Sequence, residues 1–537
     1  MTETITAAAN PRVERWALVA SILGSSMAFI DGTVVNVALP TLQEAVGATA
    51  AEVQWVVESY ALVMAALLLL GGALGDKVGR RRVFALGAVL FAAASVACAL
   101  APDIEWLILG RAVQGLGAAL LVPGSLALLG ACIPSERRGR AIGRWSAISA
   151  ATAGIGPLLG GWLVQEVSWR AIFWLNLPLA ALTLFITLRY VPESRNPGAN
   201  RLDLPGAGLV TLGLAGLVFG LLEAPRFGFN HLLIIAALSV GVCLLVAFLA
   251  VEIRSTAPMV PLDLFRSRTF RGTNLLTFLL YAALGGALYF LPFDLIQVHH
   301  YPPAAAGAAL MPLIVLISVL SGWAGRLVDR FSARALLIAG PLMAGLGFAL
   351  LALPGTSGDY WTTFFPGITV LGLGMAGTVA PLTTTVMDAV PPERAGLASG
   401  ISNTVSRTAS LLAIAVLGII AYHGFSRALD RRLDELGVSP EVQQLLTSER
   451  KKLAAAVVPP SLPAGLRSAV RTAIESSFVD AFRLVMLLCA GLAVGGAVCA
   501  WLLVGVTPGG TARSRPPERS SEAGRPRSRR EPDPAAG

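Results

Sequence analysis

Charge is scarce in this 537-residue chain: 14% of its residues are Asp, Glu, Lys or Arg, while 55% are hydrophobic. An ordinary soluble domain carries about 25% charge. Mean hydropathy is +0.70, and apolar runs extend from Trp16 to Val504, far more apolar surface than a soluble multi-domain enzyme can hide. The same composition excludes disorder and a collagen repeat. Histidine is limited to His231, His299, His300 and His423. The cysteines, Cys98, Cys132, Cys243, Cys489 and Cys499, lie in or at the ends of apolar runs without metal-ligand spacing. A His/Cys metal centre and a His-based hydrolase therefore lack their raw material, and no metal or cofactor is expected. The cysteines read as small buried hydrophobes, and the His299-His300 pair reads as loop. Lysine occurs only at Lys77, Lys451 and Lys452, never after glycine, so the Gly-Lys phosphate loop of an ATP-driven pump is missing. Any uphill transport must draw on an ion gradient or a partner's ATPase. With no GxSxG elbow and no sizeable soluble domain, the chain does not read as an enzyme.

What it has in abundance is membrane-length apolar segments. A spanning helix needs about 20 apolar residues, and about fourteen such runs follow one another. They fall at 16–39, 53–74, 83–101, 105–130, 141–164, 171–190, 205–222, 232–251, 272–296, 304–325, 335–353, 361–387, 396–422 and 482–505. The segment 1–15 carries Glu3 and Glu14 and no small-residue cleavage site, so it reads as a retained cytoplasmic N-terminus rather than a signal peptide. Alternate loops hold the basic residues: Lys77 with Arg80, Arg81 and Arg82; Arg137, Arg138 and Arg140; Arg189, Arg195 and Arg201; Arg254 to Arg271; and Arg326, Arg330 and Arg334. By the positive-inside rule these loops, and with an even span count both termini, face the cytoplasm. Trp55, Trp106, Trp169 and Trp361 fall at the opposite boundaries, as an aromatic belt does. The net charge of +9 is thus a topological signal. No basic face interleaved with aromatics exists for nucleic acid. Segment 424–480 should carry short surface helices, with Ser439-Pro440-Glu441 as a helix start. It is open to three readings: a contact for a periplasmic adaptor protein, a lid, or a passive solvated loop. The tail 506–537, rich in Pro, Gly, Ser, Arg and Glu, should be disordered and cytoplasmic.

A charge near the bilayer centre costs at least about 2.5–3.5 kcal/mol, so ionisable residues inside spans are functional candidates. They are Asp31, Glu58, Arg111, Asp294 and Arg407. Glu58 and Asp294 read as extra proton sites, as attractors of a cationic substrate, or as solvated residues near span ends. Glu223 and Glu252 look solvated.

Motifs surround these charges. The loop after the second span reads Gly72-Ala73-Leu74-Gly75-Asp76-Lys77-Val78-Gly79-Arg80-Arg81-Arg82; the fourth span holds Arg111-Ala112-Val113-Gln114-Gly115; the fifth holds Gly154-Ile155-Gly156-Pro157-Leu158-Leu159-Gly160-Gly161. The first span ends Asp31-Gly32-Thr33-Val34-Val35-Asn36-Val37-Ala38-Leu39-Pro40, the sixth is entered by Trp169-Arg170-Ala171-Ile172-Phe173-Trp174-Leu175-Asn176-Leu177-Pro178, and the thirteenth contains Asn403-Thr404-Val405-Ser406-Arg407. In order and spacing this set resembles the major facilitator superfamily, in its fourteen-span drug:proton antiporter branch. The glycine-proline helix departs from that pattern, because its leading glycine would fall at Thr152. The loop Gly322 to Arg330 echoes the one after the second span, with Asp329 and Arg330 matching its charges, as an internal repeat should.

The resemblance implies an all-α polytopic membrane protein: two pseudo-symmetric six-helix bundles at 16–190 and 272–505, and two extra central helices inserted at 191–271. It implies gating roles for Gly72, Gly75, Asp76, Gly79, Arg80, Gln114, Gly115, Gly156, Pro157, Gly160, Gly161, Asp329 and Arg330. It further implies a monomer in the cytoplasmic (inner) membrane that exports drugs or other amphiphiles against protons. Export of a lipid or endogenous metabolite is the alternative, ahead of a proton symporter or a membrane sensor. An arginine that approaches and withdraws from a buried carboxylate changes its proton affinity, which makes Asp31 with Arg111 the leading coupling pair. One proton crossing 100 mV gains about 2.3 kcal/mol and each pH unit adds about 1.4, enough for a gradient of a few hundredfold.

Overall fold

A computed structural model describes residues 11–195, 203–255, 258, 260–327, 331–391, 394–458 and 462–505. The described residues are helical apart from short connections. Five helices open the chain: α1 (Pro11–Val46), α2 (Ala50–Val78), α3 (Arg80–Ala99), α4 (Ile104–Cys132) and α5 (Ser135–Glu166). The sixth run is split at Leu175 into α6 (Ala171–Trp174) and α7 (Asn176–Tyr190). Next come α8 (Leu204–Phe227) and α9 (Leu232–Arg254), then α10 (Arg268–Phe293), which passes into a π-helical turn at Asp294–Val298. The tenth run is α11 (Pro303–Ala309) and α12 (Met311–Leu327), followed by α13 (Ala333–Leu351), α14 (Tyr360–Thr363) and α15 (Phe365–Asp388). The chain closes with α16 (Ala395–Glu435), α17 (Pro440–Glu449), a tight turn at Arg450–Ala455, and α18 (Ala464–Leu503).

Local chemistry explains the boundaries. Thr49 and Glu52 form a reciprocal capping box that starts α2, Asp103 accepts the Trp106 N–H at 2.8 Å to start α4, and Ser267 and Ser332 cap α10 and α13. Thirteen of these helical segments are long and apolar enough to cross a membrane. The remaining expected span, in α5, is a continuous 32-residue helix packed against α1 and α11. At 1.5 Å per residue it is about 48 Å long, ample for a bilayer.

Helices α1 to α7 pack among themselves, as do α10 to α18. The inserted pair is central in sequence but peripheral in space. Helix α8 lies on the seam between α2 and α16, burying Leu214, Val218 and Leu222 against Leu62 and Leu411. Helix α9 packs on α8 and leaves Leu232, Val246 and Ile253 at 78%, 60% and 71% exposure, a surface suited to lipid. Glycines permit the close approach: a Cβ on Gly216 would sit 2.9 Å from the Ala237 carbonyl oxygen, and one on Gly241 2.8 Å from Leu217 N.

Two helices outrun their expected spans. α16 continues to Glu435 and α18 begins at Ala464, so most of 424–480 is rigid extension of membrane helices. The apolar runs were the guide to length, and they miss polar turns that stay helical. Arg432 on one extension pairs with Asp480 on the other at 2.7 Å, and Arg450 with Asp430 at 2.5 Å, so these charges bind the segment together. The end of the molecule bearing α17 is called the loop end below, and the opposite end, with the α2–α3 connection, the turn end. Trp106 and Trp361 are exposed at the loop end as expected, whereas Trp169 is buried with the Arg170 guanidinium 4.2 Å above its ring. Glu252, expected to be solvated, is 3% exposed and accepts the Val260 N–H at 3.4 Å. Val260, beyond α9, thus lies against the end of that helix.

Candidate functional site

Asp31 and Arg111 meet as expected. Arg111 Nη1 lies 2.5 Å from Asp31 Oδ2, and the two side chains are 1% exposed or less. Isolated charges at that depth would be untenable, and the surrounding side chains supply the compensation. Gln114, one turn along α4 from Arg111, presents its carbonyl oxygen to Nη1 at 2.5 Å and donates from Nε2 to Asp31 Oδ1 at 2.8 Å. Asn176 at the start of α7 donates to the same Oδ1 at 3.0 Å. Both amides also donate to Ser95 Oγ of α3, at 2.9 and 3.2 Å, while Ser95 donates to the Phe91 carbonyl. Arg111 Nε donates to the Val56 carbonyl at 3.0 Å, and its guanidinium stands 4.3 Å from the centre of the Tyr60 ring. Five helices, α1, α2, α3, α4 and α7, thus contribute to one hydrogen-bonded network around the Asp31–Arg111 pair. Sequence reasoning found Asp31, Arg111 and Gln114 but gave no role to Ser95 or Asn176. Asn176 had a signal, an amide among apolar residues in the motif entering span six; Ser95 had none.

The other charges lie apart from this cluster. Glu58 is fully buried and neither carboxylate oxygen has a partner. Asp294 is 1% exposed, with Oδ1 unpartnered and Oδ2 3.6 Å from His299 Nε2. The solvated reading of both acids is therefore overturned: the helices run past them and neighbouring elements cover them. Arg407 on α16 reaches towards the first set of helices, with Met64 Sδ at 3.5 Å and the Phe29 ring centre at 5.8 Å.

The glycine motifs mark backbone contacts. Gly79, between α2 and α3, has φ +136°, a region that favours glycine. Asp76 accepts from Arg80 Nε at 2.8 Å. The turn is anchored by a residue sequence reasoning missed: Glu193, beyond α7, accepts the Arg81 N–H at 3.0 Å and lies 3.6 Å from Arg82 Nε. Gly72 and Gly75 face no such crowding; a Cβ on Gly72 would be 3.4 Å from Pro123. Gly115 backs onto the Tyr60 carbonyl, Gly156 onto Thr33, and Gly160 onto the Val34 carbonyl, fastening α4 to α2 and α5 to α1. Gly161 faces the Pro303 carbonyl and Pro157 presents its carbonyl to Gly307, so α5 seals against α11 at the loop end. Gln297 completes this seal, donating to Gln43 Oε1 at 3.2 Å. Thr152, where the family pattern has glycine, donates to the Ser149 carbonyl at 2.9 Å and lies 3.1 Å from Ser26 Oγ. Asp329 and Arg330 lie outside the described residues. Below the seal, a cavity of about 240 Å³ opens between α1, α5, α10 and α12, lined by Thr33, Asn36, Pro157, Leu284, Leu313 and Ile314 among others.

The described residues form a bundle of membrane-length helices with a buried ion-paired carboxylate and a cavity between two helix sets, the architecture of a membrane transporter. The sequence profile of the Major Facilitator Superfamily matches residues 21–414, and the chain belongs to that family. It is 37% identical over 436 residues to the multidrug resistance protein Stp of Mycobacterium tuberculosis, covering 81% of each chain. It is 30% identical over 526 residues to the tetracenomycin C resistance and export protein of Streptomyces glaucescens, covering 97% of each. Among solved structures, it is similar to a bacterial homologue of the human lysosomal transporter Spinster, with a TM-score of 0.62 and 18% identity over 92% of this chain and 98% of that one.

Proposed function

We propose that this protein exports drugs or other amphiphilic small molecules across the cytoplasmic membrane in exchange for protons, by alternating access. The observation that carries the reading is the buried Asp31–Arg111 pair, held by Gln114 and Asn176, where a carboxylate can exchange a proton for an arginine contact. The names of the resistance and export proteins it resembles support drugs as cargo. The apolar walls of the cavity suit amphiphiles, and they suit a lipid or apolar metabolite as well.

The basic turn end is taken as cytoplasmic, with both termini there. The loop end, held together by Gly161, Gly307 and the Gln43–Gln297 contact, is then the closed outer gate. In this reading 16–190 and 272–505 are the moving halves, 191–271 is an accessory pair, Glu58 and Arg407 take part in proton coupling or transport, and the glycine motifs are gating elements. One chain holds the whole pathway, so the working unit is a monomer. The packed extensions of α16 and α18 favour a rigid cap over a periplasmic adaptor contact.

The test uses proteoliposomes with an imposed proton gradient, a panel of cationic and neutral drugs, and a lumenal pH probe, with wild type and Asp31→Asn in parallel. Drug-dependent proton movement that is lost in a folded Asp31→Asn variant supports the proposal. Movement unchanged by the substitution removes Asp31 from coupling, and no movement with any compound counts against drug antiport.

A further inference from the structure

The mechanism above leaves one buried ionisable pair unused. At the end of α10 the helix widens into the π-helical turn Asp294–Val298, a distortion frequent at functional sites. The turn carries His299 back beneath Asp294: the His299 N–H donates to the Asp294 carbonyl at 3.0 Å, and its ring meets Phe364 edge-on at 4.9 Å. The two side chains are 3% and 2% exposed, and Nε2 stands 3.6 Å from Oδ2. His299 Nε2 and Asp294 Oδ1 have no hydrogen-bond partner. A neutral imidazole nitrogen facing a carboxylate leaves two acceptors opposed in a site closed to water, which is costly, and a single proton between them removes the conflict.

The neighbouring charges are engaged elsewhere. On α18, Glu475 is held by Arg471 at 2.7 Å and by exposed His300 at 3.5 Å, and Arg483 donates to the Ala352 carbonyl. Lys452 on the Arg450–Ala455 turn pairs with Glu449 at 3.1 Å. Asp359 caps α14, Tyr360 donates to the Ala309 carbonyl, the Tyr301 ring stands 6.1 Å from that of His299, and α11 carries no titratable residue. Among the described residues no arginine or lysine forms an ion pair with Asp294. The pair is also built into the seal: Gln297, three residues on from Asp294, bridges to Gln43, and Arg471 donates to the Gln297 carbonyl at 3.4 Å.

We propose that Asp294 and His299 bind one exchangeable proton between Oδ2 and Nε2, a second proton site separate from the Asp31 cluster, whose occupancy holds the loop end closed. Binding takes one proton from water and release returns it, with no other bond changed. Burial pushes the His299 imidazole down, which leaves the carboxyl oxygen as the proton's resting place and the ring as its acceptor. Loss of the proton turns the contact repulsive, and the turn relaxes by swinging His299 outwards, loosening Gln297 from Gln43. The consequence for transport rests on the antiport reading, in which acid outside loads this site and closes the outward gate. The proton site itself does not depend on it.

The test is a pH titration of the full-length protein in lipid nanodiscs, with carboxyl-labelled aspartate followed by infrared difference spectroscopy. An aspartic-acid carbonyl band is expected that vanishes in Asp294→Asn, persists in Asp31→Asn, and titrates in His299→Gln with a midpoint displaced by about one pH unit, a tenfold change in proton affinity. Absence of an Asp294-dependent band, or an unmoved midpoint in His299→Gln, overturns the proposal. If Asp294→Asn does not fold, the titration of Asp31→Asn with and without His299→Gln decides. Closure is read by impermeant maleimide labelling of Asn36→Cys from the loop side in a background without other cysteines. Labelling should rise with pH in otherwise wild-type protein and stay low at all pH with Asp294→Asn, which mimics the protonated acid. Equal pH dependence in the two, or none in the wild type, removes the gating role. A failure of drug antiport would leave the infrared titration intact, so the two readings fail separately.

Discussion

Replacing Asp31 by Asn removes the negative charge and keeps the shape, leaving the Arg111 guanidinium buried without its counter-ion. Breaking a buried pair by removing one partner costs about 3–5 kcal/mol. Arg111 keeps the Gln114 and Val56 oxygens and the Tyr60 ring, so the low end of that range, about 3 kcal/mol, is expected. That is about two decades in the unfolding equilibrium. Asp31→Asn combined with Arg111→Met removes both charges and fills the same volume, and should recover most of the loss, because the penalty comes from the stranded cation rather than from a missing attraction. Unfolding in mixed detergent micelles, followed by tryptophan fluorescence, measures both variants against wild type. Neither should move protons with drug in proteoliposomes. If the double variant is no more stable than the single one, or the single one costs less than about 0.5 kcal/mol, the account of a tightly coupled buried pair is wrong.

Gly79→Ala places a Cβ at φ +136°, 2.8 Å from the Glu193 carboxyl carbon, and should cost about 1–3 kcal/mol as a lowered thermal midpoint; an unchanged midpoint refutes the strain. Asn176→Leu deletes one of the three hydrogen bonds to Asp31. A loss of about 1.5–3 kcal/mol is expected, as for bonds to a charged group, together with a displaced pH–rate profile for transport. A stability loss with an unmoved profile would make Asn176 merely structural. Gly161→Val wedges α5 from the Pro303 carbonyl and should raise loop-side labelling of Asn36→Cys; undiminished protection would show that the seal lies elsewhere.

How far the sequence reaches depends on the length scale of the signal. Apolar runs about 20 residues long mark the spans because the bilayer imposes that length on every helix, and the Asp31–Arg111 pair is legible because a charge in such a run demands a partner. Ser95 is hidden because a hydroxyl in a membrane helix stands out little, whereas the Asn176 amide does stand out among apolar residues, and only the fold shows that it reaches Asp31. Glu193 lies in a connection where acids are unremarkable, and only the fold brings it to Gly79 and Arg81. His299 and His300 do lie in a connection, as read; what leaves no periodic trace is the π-helical turn that buries the His299 side chain. The long polar extensions of α16 and α18 were missed for the converse reason, since helices that leave the membrane lose the apolar pattern while keeping their backbone bonds.

The placement of α8 makes the molecule lopsided. Two helix sets that rock against each other have two flanks, and on one of them α8 lies across α2 and α16 like a strip over a joint. On the other flank α5 and α12 meet without such a cover, and there the cavity wall is formed by Gly154 and Ile314. Gly154 packs directly on Ile314 there, so in the proposed exporter a hydrophobic passenger coming from the bilayer would have to part this one contact, whereas on the strapped flank it would have to lift α8.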